Sequence, residues 1–184
     1  GSSGPSVHGG DFKGLEQKLD YIKSLGATAI WISPIVLNAS GEFHGYAGRD
    51  FYRVGPHWGS LADLQHFTAA AHARGLLVIN DIIVNHGGDL IGSNDNGYSN
   101  FKSPPAGYKL GYFTSKQYAA PFNTNAATPY LTNLFHNQGA IQDYGIQTQA
   151  ELGELAGLDD FRTESAYVRS NMAQIYNYWI GQAG

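Results

Sequence analysis

The sequence predicts an α/β fold built on a parallel sheet, and three observations carry that expectation. Helical and strand patterns alternate helix–strand–helix–strand through the first half of the chain, the rhythm that lays strands parallel with helices over them. Residues 76–86, LLVINDIIVNH, are largely apolar, as expected of a strand covered on both faces. From residue 87 to residue 157 the rhythm stops. A break of that length far exceeds an ordinary connection, so it reads as a small subdomain or a functional excursion.

Taken in order, residues 1–10 are rich in Gly and Ser and carry no periodicity. From Asp11 a helix is expected, with Leu15, Leu19, Ile22 and Leu25 on one stripe and Gly26 as its stop. Residues 28–34 (TAIWISP) are β-forming and closed by proline, which suits a short buried strand. Residues 35–59 read as a long polar loop holding HGYAGRDFYRVGPHWG. Ser60 with Asp63 three residues on is a capping box; it opens a helix with Leu61, Leu64, Phe67 and Ala71 inward, ended by Gly75. The strand of residues 76–86 follows. The excursion has many Gly, Asn and Pro and carries Tyr98, Phe101, Tyr108, Tyr112, Phe113, Tyr118, Phe122, Tyr130, Phe135 and Tyr144. Helical rhythm then resumes, with Val168, Met172, Ile175 and Trp179 on one stripe and Gly181 near the stop.

Composition narrows the function classes. Charged residues are 14% of the 184, well under the ~25% of ordinary soluble domains. Abundant Gly and Tyr suggest long ordered loops with aromatic surfaces. A net charge of −4 leaves no electrostatic footprint for nucleic acid or an anionic membrane. The absence of cysteine excludes disulfides, thiolate metal sites and cysteine nucleophiles. No apolar stretch approaches the ~20 residues of a membrane span. No signal peptide is visible, and the opening GSSG reads as an appended or trimmed end. Asn38-Ala39-Ser40 matches a glycosylation sequon, a pattern too short to carry weight.

The polar residues that interrupt residues 76–86 are Asp81, Asn85 and His86. A period of two places Asp81, Ile83 and Asn85 on one face and Val84 and His86 on the other. A carboxylate, an amide and an imidazole at the C-terminal end of a parallel strand stand where barrel enzymes keep their active sites. The plainer reading is a satisfied core aspartate and two polar residues opening a loop; the three together, with their flanks, favour function. Residues 92–103 offer an EF-hand rhythm, but Gly92 and Ser103 occupy its two carboxylate ends. No Gly-rich phosphate cradle follows either strand.

The order GGDFKGL…LDYIKSLGATAIWISPI, HGYAGRDFYRV, then SLADLQ…AHARGLLVINDIIVNH resembles the front half of the α-amylase family of glycoside hydrolases, from about Gly9 to the last residue. DIIVNH preceded at the right distance by HGY is the specific combination. The resemblance implies an α/β fold: a partial (β/α)8 TIM barrel of about two parallel strands with flanking helices. It implies an irregular domain B after the third barrel strand. Residues 1–86 would be the N-terminal part of the barrel, 87–157 the domain B-like excursion and 158–184 the return to a barrel helix, before the fourth strand. LAGLDD (155–160) resembles the family's short motif near the end of the excursion, usually Pro-Asp-Leu-Asn; Ala156-Gly157-Leu158-Asp159 lacks its first carboxylate.

By the same resemblance, Asn85 contributes an oxygen to a Ca2+ tying domain B to the barrel, and Asp159 is its second side-chain ligand. Hard cations take several oxygen ligands. Some members lack the ion, and the alternative for Asn85 is a strand end capped through backbone bonds. His86 matches the residue that hydrogen-bonds sugar hydroxyls in the −1 subsite, Tyr46 the aromatic platform beneath that sugar, and His44 lies beside it. Without the motif, Tyr46 would be a loop aromatic covering the rim. Asp81 resembles the strand residue that orients the site through hydrogen bonds. Arg49, Asp50 and Trp58 are expected to brace the loop. No organic cofactor is implied.

Retaining glycosidases need two carboxyl groups ~5–5.5 Å apart. In the family the nucleophile, acid/base and helper carboxylates end the fourth, fifth and seventh strands, and none has a match in these residues. Asp81, Glu151, Glu154, Asp159 and Asp160 are not matched to a nucleophile either. The expectation is therefore a segment of a retaining glycoside hydrolase or transglycosylase acting on α-glucosidic bonds of starch-like α-glucans. It is expected to be completed by the remainder of the barrel from the same or another chain, and to be inactive alone. A non-catalytic amylase-like carbohydrate-binding module is the alternative. Low charge, no cysteine and a polymeric substrate lean towards an extracellular or periplasmic protein.

Overall fold

The computed structural model describes residues 7–39, 43–93, 100–103, 106–107, 110–113, 121–122 and 133–184. Tyr98, Tyr108, Tyr118 and Tyr130 of the aromatic excursion lie outside them.

Asp11 caps the first helix by accepting a hydrogen bond from the Gly14 N–H at 2.6 Å. The single helix expected there is two short ones, α1 (Phe12–Gln17) and α2 (Leu19–Ser24). They part at Lys18, whose ψ of 2° leaves the helical range. Leu19 is fully buried but Leu25 is exposed, so the apolar stripe ends a turn early. Gly26, at φ +86°, supplies the stop.

β1 (Ala29–Ile32) follows. Then comes a hairpin in what periodicity reads as a loop: β2 (Val36–Asn38) pairs antiparallel with β3 (Gly48–Val54). Two register shifts in β2 explain why no clean alternation announces it. The capping box forms as expected: Ser60 Oγ accepts from the Asp63 N–H at 3.1 Å, and Asp63 Oδ2 accepts from the Ser60 N–H at 2.9 Å. It opens α3 (Leu61–Ala73), which buries Leu64, Phe67 and Ala71. Phe67 stacks on Phe12, with ring centroids 6.2 Å apart.

β4 (Leu77–Asn80) then pairs parallel with β1, in register from Ala29↔Leu77 to Ile32↔Asn80. Here two expectations are corrected. The strand ends at Asn80, and residues 81–84 lie beyond it. Nor is it covered on both faces. Ile30, Ile32 and Val78 pack on the helical core. Trp31, Leu77 and Ile79, on the opposite face, are 72%, 65% and 50% exposed. A two-stranded sheet with helices on one side leaves the alternate side chains uncovered, whatever their hydrophobicity.

In the excursion β5 (Ile91–Ser93) pairs antiparallel with β6 (Leu110–Phe113). Later come α4 (Gln147–Leu152) and α5 (Ala166–Ala183). The stripe Val168, Met172, Ile175 and Trp179 of α5 is buried as periodicity predicts, though the helix continues past Gly181. Trp179 Nε1 donates to the Phe51 carbonyl at 2.8 Å, tying α5 to β3. Phe51, Phe122, Phe135 and Phe161 form one aromatic cluster, with neighbouring centroids 4.9–6.0 Å apart. This cluster joins the excursion to the helical core.

Candidate functional site

Beyond β4 the chain is organised by three short segments lying side by side. Residues 159–162 run in the middle. On one side the Phe161 N–H donates to the Asn85 carbonyl at 2.8 Å and the Gly87 N–H to the Asp159 carbonyl at 3.0 Å. On the other, the His136 N–H donates to the Asp160 carbonyl at 3.1 Å and the Arg162 N–H to the Leu134 carbonyl at 2.7 Å. Residues 85–87 beyond β4 and residues 134–136 of the excursion are thus stitched through one shared strand-like segment.

On the loop side, Tyr46 is held at several points. Its hydroxyl donates to Asp81 Oδ2 at 3.1 Å, and its N–H donates to His44 Nδ1 at 2.9 Å. Its carbonyl accepts from His86 Nε2 at 3.1 Å. The bond to Asp81 favours the un-ionised phenol and raises the Tyr46 pKa. Tyr46 is 38% exposed, and its ring lies 5.8 Å from the His44 imidazole, centroid to centroid. Tyr46, His44, Asp81 and His86, four residues singled out from the sequence, therefore meet at one place.

His86 is buried, and burial holds its pKa below the ordinary imidazole value. A carbonyl oxygen only accepts, so Nε2 carries the proton and Nδ1 is the bare acceptor. Nδ1 is buried without a hydrogen-bond partner, an arrangement that costs free energy until a donor arrives. Of the residues expected to brace the loop, Arg49 Nη2 donates to the Asp89 carbonyl, and Asp50 Oδ1 accepts from the Tyr52 N–H at 3.0 Å. The Trp58 carbonyl accepts from the Phe12 N–H at 2.9 Å.

On the excursion side the two neighbouring aspartates have different tasks. Asp159 Oδ2 accepts from the N–H groups of Leu90 and Ile91, which fixes the start of β5. Asp160, not Asp159, reaches Asn85: Asn85 Nδ2 donates to Asp160 Oδ1 at 3.0 Å. Asp160 Oδ2 lies 2.5 Å from His136 Nδ1, and His136 Nε2 faces both Glu164 oxygens at 3.1 and 3.0 Å. Neither His136 nor Glu164 is legible as functional in the sequence. The pairing joins positions 24 and 28 residues apart, and no local spacing signals it.

Carboxylates dominate the electrostatics of this side. Burial pushes Glu154 up to about 7, helped by the charges of Asp160 and Asp89. Burial also raises Asp160 to about 6 against the hydrogen bonds from His136 and Asn85, and lifts Asp159 well above the usual carboxylate range. Acidic groups that raise one another in a desolvated place favour a cation. Among the described residues, no three His, Asp or Glu side chains are grouped to hold a metal by themselves. An ion there would need the Asn85 amide and backbone carbonyls as further ligands, which is oxygen-only chemistry of the Ca2+ kind rather than that of zinc.

Residues 2–184 match the family model described as alpha amylase, catalytic domain. The chain is 32% identical over 207 residues to an α-amylase of Streptomyces lividans, covering 94% of this chain and 22% of that protein. It is 32% identical over 181 residues to a cyclomaltodextrin glucanotransferase of Klebsiella oxytoca, covering 94% and 25%. Among solved structures, an α-amylase of Geobacillus thermoleovorans complexed with acarbose superposes with a TM-score of 0.73 at 34% identity, covering 97% of this chain and 33% of that one. The chain thus spans a third or less of the length of these relatives.

Proposed function

The chain belongs to the α-amylase family of glycoside hydrolases and is part of its (β/α)8 barrel, and from that premise we propose that it supplies one wall of the −1 subsite of a retaining glycoside hydrolase or transglycosylase acting on α-glucosidic bonds. The observation that supports this reading most is the convergence of Tyr46, His44, Asp81 and His86 just beyond β4. An exposed ring pinned through its hydroxyl, N–H and carbonyl is a rigid platform for the apolar C–H face of a pyranose, at little entropic cost. His86 Nε2 holds the Tyr46 carbonyl, and its bare Nδ1, buried under its neighbours, would meet a sugar hydroxyl only once they shift. Asp81 does not touch the sugar in this reading; it fixes the platform.

Bond cleavage needs a nucleophile and an acid/base, and Asp81, Asp159 and Asp160 are otherwise engaged. Asp81 holds Tyr46, Asp159 holds the start of β5, and Asp160 is shared by Asn85 and His136. The residues of this chain therefore bind and orient, and the 184 residues alone are expected not to turn over a maltoside. A Ca2+ beside the subsite would call on the oxygens of Asn85 and Asp159, the pair that the resemblance implies; Asp159 Oδ2 is taken by the Leu90 and Ile91 N–H groups, and the Asn85 amide N–H by Asp160.

The test is kinetic. In an assembled barrel that contains these residues, acting on a chromogenic maltooligosaccharide, Tyr46→Ala is expected to lower kcat/KM at least about tenfold, the loss of ~1.4 kcal/mol of transition-state stabilisation. Tyr46→Phe keeps the ring and should fall between the two. Equal kcat/KM for wild type and Tyr46→Ala would remove the platform from the account.

A further inference from the structure

We propose that Tyr176 of α5 is a positioning residue for the Tyr46 platform, acting through the Ile83 carbonyl and Asp81. This inference rests on the platform reading above and adds a residue that does not itself meet the sugar.

The platform is only as firm as Asp81, whose Oδ2 accepts from the Tyr46 hydroxyl at 3.1 Å. Asp81 stands just past the sheet. β4 ends at Asn80, and the Asp81 N–H donates to the Ile32 carbonyl at 3.0 Å where the ladder with β1 runs out. Further on, the Asn85 carbonyl accepts from the Phe161 N–H at 2.8 Å. Between these two points the Tyr176 hydroxyl donates to the Ile83 carbonyl at 2.7 Å. Residues 81–84 keep an extended alternation, with Ile82 and Val84 exposed and Asp81 and Ile83 half-buried. A hold on Ile83 therefore fixes the direction in which Asp81 points.

Tyr176 belongs to the firm part of the molecule. Its side chain packs against the helical core, and three residues on, Trp179 Nε1 donates to the Phe51 carbonyl of β3 at 2.8 Å. One turn of α5 thus grips both stretches that meet at the platform: the segment carrying Asp81 and the hairpin strand that follows Tyr46. Gly45, Asp81, Ile83 and Tyr176 also border one cavity of about 10 Å3, at the lower limit for a single water. Groups packed with so little slack shift together. Burial pushes the Tyr176 hydroxyl up to about 12, and the Asp81 charge adds to the rise, so the group stays a donor at neutral pH. Tyr176 and Ile83 are 93 residues apart, and no local pattern joins them.

The experiment is a double-mutant cycle in an assembled barrel that contains these residues. For each protein kcat and KM on a chromogenic maltooligosaccharide are measured, together with the melting temperature. Tyr176→Phe deletes the hydroxyl and keeps the ring. With Tyr46 present it is expected to lower kcat/KM about three- to tenfold. In the Tyr46→Ala background no platform is left to position, and the same change should alter kcat/KM less than about twofold. The loss of melting temperature should be the same in both backgrounds, because it reports the hydrogen bond alone. Tyr178→Phe, on the same helix with its ring against Tyr52, should leave kcat/KM unchanged. An equal fold-loss in both backgrounds, or a loss in Tyr178→Phe as large as in Tyr176→Phe, would overturn the positioning role. So would wild-type kcat/KM in Tyr176→Phe while Tyr46→Ala is strongly impaired. If Tyr46→Ala itself matches wild type, the platform falls and the positioning role with it. Tyr176→Met, which also lacks the hydroxyl and adapts to irregular gaps, takes its place in the cycle if Tyr176→Phe does not fold.

Discussion

At Gly45 the backbone sits at φ +94°, and an added Cβ would come within 2.6 Å of the Pro34 carbonyl oxygen. That is why a glycine stands before Tyr46: the platform is reached by pressing the loop onto the residue that closes β1. Gly45→Ala is expected to cost at least ~1–3 kcal/mol for the backbone conformation alone, read by urea unfolding; an unchanged midpoint would contradict the contact. His86 gives the pH dependence. Burial lowers its pKa in the folded state, so the unfolded chain binds the proton more readily. Its contribution is therefore present above the unfolded value of ~6.5 and is lost as pH falls through the folded one. Glu154 and Asp160, raised to about 7 and about 6, act in the opposite sense over the same window, so the comparison is between variants. From pH 7.5 to 5.5 wild type should lose more, or gain less, unfolding free energy than His86→Gln, and equal slopes would remove His86 as the cause. The sequence names Tyr46, His44, Asp81 and His86 because HGY and DIIVNH are short and ordered. It could not name which aspartate of Asp159-Asp160 meets Asn85, since adjacent residues share every pattern and differ only in direction.

Among the elements, α3 and α5 were legible because each carries its own evidence: a capping box for one, a four-residue apolar stripe for the other. Ser60→Ala should destabilise by about 1 kcal/mol through loss of the cap, seen as a lower urea midpoint with unchanged slope; no change would mean Asp63 alone suffices. The β2–β3 hairpin was illegible for the opposite reason. Its register shifts break the alternation, and its burial comes from partners distant in sequence, such as Trp179 on Phe51. The first helix was half legible: the stripe predicted Leu19, but nothing local predicted the break at Lys18. Residues 81–84 were read as strand because apolar residues continue there, whereas the ladder with β1 had already run out.

For the whole molecule, alternation of helix and strand was enough to place the chain in the α/β class, and the family's barrel follows from its relatives. Burial was not readable at that scale. Hydrophobicity of residues 76–86 says that a strand wants covering on both faces, but only an assembled sheet decides whether it is covered. Trp31, Leu77 and Ile79 share the uncovered face, and in a (β/α)8 barrel the face away from the helices is the packed interior. The central claim is that the ground just beyond this sheet, where Tyr46 and His86 meet, binds an α-glucan sugar. Its most direct measurement is a crystal structure of an assembled barrel that contains these residues, with a bound maltooligosaccharide. The account predicts a pyranose ring lying on the face of Tyr46 with one hydroxyl within hydrogen-bond distance of His86. An oligosaccharide bound in a cleft that Tyr46 and His86 do not border would contradict it.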